Sequence, residues 1–389
     1  MEDKKQNRKY SIALIIKTEG LEYDDRVRKE VQTIQRLYPN IFFKIFAMLP
    51  DNKETEGVTG YGVPFRTVYV PARDKYASAK KATLKAYQFY TALKKELTKF
   101  DAVWCANVDT SFFPLLCKNG RILWDLHELP DRYLSSSIKK SVLKYIFRRC
   151  KVVVHANPQR KDYLKSMGVI EDESKHFALR NYPNFDEEEK EHDDLYQKFI
   201  VWKGNRNCVY LQGLTNDSRA AFESISAVLN FAELCAVVVG GFDKEARKRL
   251  DERYGEKLGE KVFFTGKIEQ LRIPQYVKQC MLTLVFYKNV RPNNYYCEAN
   301  RFYQSVILGL PVVVGNNPSM RELVDEYGFG VSIDDDGGDL NRIVEGIKEV
   351  MVNYDRYHSN NLKYREKLLW DNQEQTIKDV VCRLFPDLT

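Results

Sequence analysis

The chain has 389 residues, 44% of them hydrophobic and 30% charged, with a formal net charge of +7. That length predicts two domains, each with enough apolar material for its own core. No stretch approaches the roughly 18 apolar residues of a membrane span, and the eight cysteines form no CxxC pair or zinc-like Cys/His spacing, so the chain reads as a cytoplasmic globular protein with reduced thiols.

The opening MEDKKQNRKYSIALIIK puts basic residues before an apolar run. That run is short, from Ile12 to Ile16, and no small-residue cleavage site follows, so it reads as a first strand and not a signal peptide. The first strand is placed at 11–17, and the loop after it, 18–24, contains Gly20. A helix over 25–38 follows, with Val27, Val31, Ile34 and Leu37 on one face. Asp24, Asp25 and Arg26 at its start read either as a helix cap or as polar groups offered to a ligand. Strands are placed at 41–49 and 67–70. A long helix is placed over 78–100, its apolar stripe at Ala82, Ala86, Phe89, Tyr90, Leu93, Leu97 and Phe100. The lysines off that stripe (80, 81, 85, 94, 95, 99) make a basic face, either solvated or laid against anionic lipid head groups. Further strands are expected at 101–105, 121–125 and 151–155. Strands alternating with helices predict a doubly wound parallel sheet.

The segment 181–206 breaks this rhythm with NYPNF and an acidic run, and reads as the interdomain connection. The pattern then restarts: strands at 208–211, 234–239, 262–265, 282–287 and 312–314, with helices at 219–231, 244–254, 273–279 and 302–308 between them. Gly213, Gly240, Gly241, Gly266 and the loop 293–301 all follow predicted strands, the rim where ligands of open α/β sheets sit. Arg219 and Arg301 fall at predicted helix starts, which gives two cations and two helix dipoles to one diphosphate seat. An ordinary capped strand–helix unit explains the same residues.

Charge is divided unevenly. Residues 1–183 hold 34 Lys+Arg against 21 Asp+Glu, and the remainder 27 against 33. A basic first half suits an anionic surface or acceptor, or simply a solvated lysine-rich face. The predicted phosphate loops lie in the acidic half and no nucleic-acid motif is present, so no nucleic-acid partner is expected. His155, His176, His192 and His358 show no metal spacing, and no metal site is expected.

The blocks VYLQGLTNDSR, VVVGGFD, VFFTGKI, EANRFYQSVILGLPVVV and PSMRELVDEYGFGVSI together resemble the donor domain of the family 4 retaining glycosyltransferases. DDRVRKE and WDLHELPDRY in the first half match that family more loosely, and LLWDNQEQTIKDVVCRLF is similar to its closing helix. The resemblance implies a GT-B fold of two facing Rossmann-like domains. It implies an acceptor-side domain at 1–184, a linker at 185–206, a nucleotide-sugar donor domain at 207–355, and helices at 356–389 crossing back to the first domain.

By the same resemblance Arg219 and Arg301 bind the donor diphosphate, Arg301 standing where a lysine is usual. Glu298 accepts from donor-sugar hydroxyls, with Asn300 beside it. Gln304 replaces a glutamate that holds the ribose diol, so that contact loses its charge. Gly213, Gly240 and Gly241 line the donor rim, and Gly266, Lys267 and Ile268 border the base. His127 lies near the transferring sugar, Glu128, Asp24 and Arg26 lie on the acceptor side, and Gly20 permits close approach of the first loop. The implied reaction is retaining sugar transfer from a nucleotide-sugar co-substrate, without a cofactor or metal, to a glycan or lipid-linked acceptor in polysaccharide assembly. Two alternatives share the fold: a non-catalytic sugar-nucleotide-binding subunit, and a sugar-nucleotide epimerase, whose additional acids and histidines are not seen.

Overall fold

The computed structural model describes residues 9–17, 21, 24–76, 80–184 and 193–388. The loop glycine Gly20, His192 and most of the acidic run lie outside them. The chain divides into two compact units, one of Met1–Asn181 with Gln373–Thr389 and one of Tyr182–Asn372.

The first unit is built on an eight-stranded sheet: β1 (Tyr10–Ile16), β2 (Ile41–Ala47), β3 (Glu56–Val58), β4 (Pro64–Thr67), β5 (Ala102–Ala106), β6 (Ile122–Leu126), β7 (Val152–His155) and β8 (His176–Ala178). Their order is β3-β4-β2-β1-β5-β6-β7-β8, parallel except for the β3–β4 pair. The central strands are near-continuous apolar runs because helices cover both faces; every residue of β5, β6 and β7 is buried. After β1, the helix Asp25–Leu37 buries Val27, Val31 and Ile34 on the predicted stripe.

Three expectations here change. The strand expected at 67–70 ends at Thr67, although Val68 and Val70 beyond it remain buried. The helix expected over 78–100 covers Ala82–Leu93, and a separate 3-10 turn Leu97–Lys99 follows. Glu96, between the two, is drawn to Arg66 of β4 at 2.7 Å and Lys44 of β2 at 3.5 Å. Lys85 leaves the expected basic face: it is buried and donates to the Tyr76 carbonyl at 2.9 Å.

The second unit carries a six-stranded, wholly parallel sheet: β9 (Asn207–Gln212), β10 (Leu234–Val239), β11 (Val262–Gly266), β12 (Leu282–Val285), β13 (Val312–Val314) and β14 (Gly330–Ser332). The order is β11-β10-β9-β12-β13-β14. Chain order therefore reverses between β9 and β12, and that is the topological switch point where α/β sheets open a crevice.

The unit limits differ from the expected ones. Asp194–Lys203, expected in a connection, is a helix of the second unit, with Tyr196 and Phe199 packed edge-on or tilted against Tyr276. Tyr354–Tyr364, expected to join the first unit, also belongs to the second. The chain rejoins the first unit at Gln373, whose side-chain oxygen accepts from the Arg180 amide at 2.9 Å. The next helix, Glu374–Leu384, is the amphipathic one, burying Ile377, Val380, Val381 and Leu384. Tyr354–Tyr364 instead buries only Tyr357 and Asn361.

Candidate functional site

In the second unit, a cavity of about 290 Å³ is lined by Gln212, Gly213, Arg219, Tyr287, Glu298, Ala299, Asn300 and Arg301. Gln212 and Gly213 close β9 and Tyr287 lies just beyond β12, so the cavity sits at the switch point. Gly213 has φ of +61°, and a Cβ there would meet Arg219 Nη1 at 3.1 Å, so the missing side chain is what lets the guanidinium fold over the strand end. Arg219 Nη1 donates to the Gly213 carbonyl at 2.6 Å.

The two arginines meet on one ring. Arg219 lies 5.6 Å and Arg301 5.0 Å from the Tyr287 ring centroid, both within cation–π range. Arg301 is buried, donates to the Phe286 carbonyl and the Tyr287 hydroxyl at 3.3 Å each, and keeps a buried Nε with no partner. Neither arginine forms an ion pair with a carboxylate among the described residues. Two like charges on one aromatic ring without a counter-ion repel each other, and an anion bound between them removes that cost.

The helix ends add to this. Most longer helices here are capped by a side chain, as by Asp24, Ser136, Asn157, Asp243 and Asn317. The helix Asn300–Ile307 instead starts after Ala299, and the helix Ala221–Val228 after Ala220, neither of which supplies a cap. Ala220 also takes a left-handed conformation, φ +51°, at a cost of about 1–2 kcal/mol. Neither helix start is thus closed by a capping side chain of its own.

Of the donor residues expected from the sequence, Gly213, Arg219, Glu298, Asn300 and Arg301 line this cavity. Glu298 accepts from the Tyr303 hydroxyl at 2.5 Å. Gly240, Gly241, Gly266, Lys267, Ile268 and Gln304 do not line it. Gly240 and Gly266 are the next positions along the same rim: the Gly213 amide donates to Val239 at 2.9 Å, and the Gly240 amide to Gly266 at 2.8 Å. Gly241 packs beside Thr215, Lys267 is exposed, and Ile268 packs on the aromatic cluster around Phe199. The Gln304 side-chain oxygen is buried without a partner.

Of the lining residues not expected from the sequence, Gln212, Tyr287 and Ala299, it is Tyr287 that stands between the arginines. It reads as the last apolar position of a strand, and only pairing of β12 with β9 turns it into the floor between two arginines. A clamp holds the Arg219 turn against the same strand end. Lys288 bonds Asp217 at 3.1 Å and Glu223 at 3.0 Å, and its amide donates to the Ser218 carbonyl at 2.7 Å.

The first unit holds a second polar cluster after β6. His127 Nε2 lies 2.8 Å from Asp125 Oδ2. Asp125 Oδ1 accepts from Arg26 Nη2 at 2.9 Å, and Arg26 Nε lies 3.1 Å from Glu30 Oε1. Arg26 also donates to the Leu179 carbonyl at 2.7 Å. Burial pushes the Asp125 carboxyl up, but Arg26 and His127 outweigh it and hold Asp125 well below the usual carboxylate range. Burial and the neighbouring Asp125 push Glu30 well above that range, against the pull of Arg26. The Arg26 guanidinium thus stands between one carboxyl that is held down, Asp125, and one that is pushed up, Glu30.

This corrects one acceptor-side expectation. Arg26 is buried and consumed by Asp125, Glu30 and a carbonyl, so it is not offered to a ligand. Asp24 caps its helix, accepting from the Val27 amide at 3.3 Å. Glu128 is exposed and His127 partly exposed. Glu30, Asp125 and His127 are the one trio of potential metal ligands that converges among the described residues. Its cation is the protein's own: the Arg26 guanidinium already stands against both carboxyl groups. His155 and His176, expected to have no metal spacing, hydrogen-bond each other at 2.9 Å.

No protein-family model matches the chain, and no curated protein matches it by sequence. Solved structures do match it in fold. A sucrose-phosphate synthase from Thermosynechococcus elongatus superposes with a TM-score of 0.74 at 16% identity, covering 97% of this chain and 100% of its own. HepE from Anabaena, solved with UDP, gives 0.70 at 14% identity, covering 96% and 99%. An α,α-trehalose 6-phosphate synthase from Burkholderia multivorans gives 0.70 at 12% identity, covering 97% and 98%. With two parallel-sheet units matched over nearly their whole length by such enzymes, the chain has the GT-B fold of glycosyltransferases.

Proposed function

We propose that this protein is a glycosyltransferase that takes a sugar from a nucleotide-diphosphate-sugar donor. The observation that carries the reading is the pair of arginines, 219 and 301, on the Tyr287 ring at the β9/β12 switch point, beside two helix starts without side-chain caps. In sugar transfer the difficult charge is that of the departing nucleotide diphosphate. Two fixed guanidiniums and aligned amides stabilise it without reorganising. HepE, of the same fold, was solved with UDP in place, which supports a uridine nucleotide as the first donor to test.

The finer reading follows the sequence resemblance. The transfer retains anomeric configuration, needs no metal, and delivers the sugar to a glycan or lipid-linked acceptor in polysaccharide assembly. Glu298 receives donor-sugar hydroxyls and His127 serves the transferring sugar. No described helix is long and apolar enough to cross a membrane; peripheral contact with an anionic bilayer from the cytoplasmic side is part of the proposal.

Thermal shift with UDP, GDP, ADP and dTDP, on wild type and Arg301→Ala, tests the donor site. A ligand at 100 times its dissociation constant stabilises the folded state by about 2.7 kcal/mol. One diphosphate that raises Tm in wild type only, followed by sugar release from the matching nucleotide sugar, supports the reading. No shift with any of them at millimolar concentration defeats it. Binding with neither transfer nor hydrolysis leaves the non-catalytic binding subunit.

A further inference from the structure

The buried carboxylate behind His127 has a task of its own. Asp125 is fully buried at the end of β6, two residues before the histidine. Oδ1 accepts from Arg26 Nη2 at 2.9 Å, and Oδ2 lies 2.8 Å from His127 Nε2 with a longer 3.4 Å contact from Arg26 Nε. An ionised carboxylate only accepts, so His127 must carry a proton on Nε2. In the neutral ring the lone pair is then on Nδ1, which has no hydrogen-bond partner among the described residues. The backbone that carries the ring is held as well, because Arg160 Nη1 donates to the His127 carbonyl at 2.5 Å. The charged groups behind the imidazole are Asp125, Arg26 and Glu30, with Asp24 adding to the field on Arg26.

We propose that Asp125, anchored by Arg26, is a positioning residue that fixes His127 as the Nε2–H tautomer, so that Nδ1 accepts a hydrogen bond from a hydroxyl of the sugar substrate. The role of His127 toward a sugar rests on the function proposed above; the tautomer does not. The Arg26 of DDRVRKE thereby has a purpose that explains its burial. The guanidinium keeps the carboxylate ionised, and an ionised carboxylate selects the tautomer.

Asp125→Asn makes the test sharp. Asparagine has one acceptor oxygen where aspartate has two, and the Arg26 guanidinium competes for it with the neutral Nε2–H. The oxygen stays at the Oδ1 position, because the 2.9 Å bond from Arg26 Nη2 is charge-assisted and shorter than the 3.4 Å contact of Arg26 Nε at the Oδ2 position. The amide nitrogen then faces the ring and donates to Nε2, so the proton moves to Nδ1. Nδ1 becomes a donor and no longer accepts from a hydroxyl.

Long-range proton–nitrogen correlation spectra of nitrogen-15-labelled protein read the tautomer directly. The chain has only five histidines, and His127→Gln identifies the signal. The expected result is Nε2–H for His127 in wild type and in Glu30→Gln, and Nδ1–H in Asp125→Asn. In the same variant, turnover of the nucleotide sugar falls on the order of 100-fold, as misplacing one reacting contact does, with donor KM unchanged. Equal tautomers in wild type and Asp125→Asn, with the variant folded by thermal melting, overturn the proposal. So does a switched tautomer with wild-type turnover. If no nucleotide sugar is turned over by wild type, the function proposed above fails while the tautomer result still stands.

Discussion

Acidification from pH 7 to pH 4 destabilises the first unit through two buried histidines. His155 of β7 and His176 of β8 share a hydrogen bond of 2.9 Å, stack at 5.2 Å, and are flanked edge-on by Phe147. Two imidazoles linked this way stay neutral, one donating and the other accepting. Burial lowers His155 well below its ordinary value, and burial with Lys175 lowers His176 to about 4 from 6.5. A histidine whose folded value is depressed binds fewer protons folded than unfolded. Its contribution is present above pH 6.5 and is lost as pH falls through 4. For His176 alone the shift of about 2.5 units at 1.36 kcal/mol per unit amounts to about 3 kcal/mol. Amide hydrogen exchange of β7 at pH 7, 5.5 and 4 reports the local opening free energy. Wild type is expected to lose about 3 kcal/mol more than the double variant His155→Leu/His176→Leu over that interval. Equal losses in the two proteins refute the reasoning, since carboxylate titration is common to both.

Three further outcomes are expected. Arg26→Met leaves Asp125 buried without its counter-ion and costs roughly 3–5 kcal/mol, so Tm falls far more than in Arg219→Ala, whose side chain has no carboxylate partner among the described residues; similar melts for the two contradict the buried cluster. Lys288→Met releases the turn that carries Arg219 and weakens UDP affinity severalfold by calorimetry while leaving the fold intact; unchanged affinity removes the clamp from the site. Gly337→Ala places a Cβ 2.6 Å from Phe286 Cβ at φ of +98°, which costs roughly 1–3 kcal/mol and shifts the carbonyl that receives Arg301. Both Tm and UDP affinity are then expected to drop, and a Tm loss without an affinity loss separates Phe286 from the site.

What was readable in the sequence was what repeats. The apolar runs of β1, β6, β9 and β10 and the glycines at 213, 240, 241 and 266 mark strand ends by local chemistry alone, and the arginines at 219 and 301 stand beside them. Strand order is not local, however, and it decides the floor of the cavity. Tyr287 gains its place only because β12 pairs with β9 on the side away from β10. Polar residues that work inside the protein were misread for a related reason. Arg26 carries the same composition signal whether it faces a ligand or a buried carboxylate 99 positions away, and Lys85 the same whether solvated or bonded to Tyr76. Burial, which no single-residue signal carries, separates the cases. The acidic run ahead of Asp194 hid the apolar Tyr196 and Phe199, because a linker is recognised by charge and a helix by spacing, and charge came first in the chain. The residues that matter most to the candidate chemistry therefore fall into two kinds. Arg219, Arg301 and His127 are legible because each stands at or near the segment after a predicted strand, the rim where ligands of open α/β sheets sit. Tyr287, Asp125 and Lys288 are not, because they act on those three and are placed by the fold.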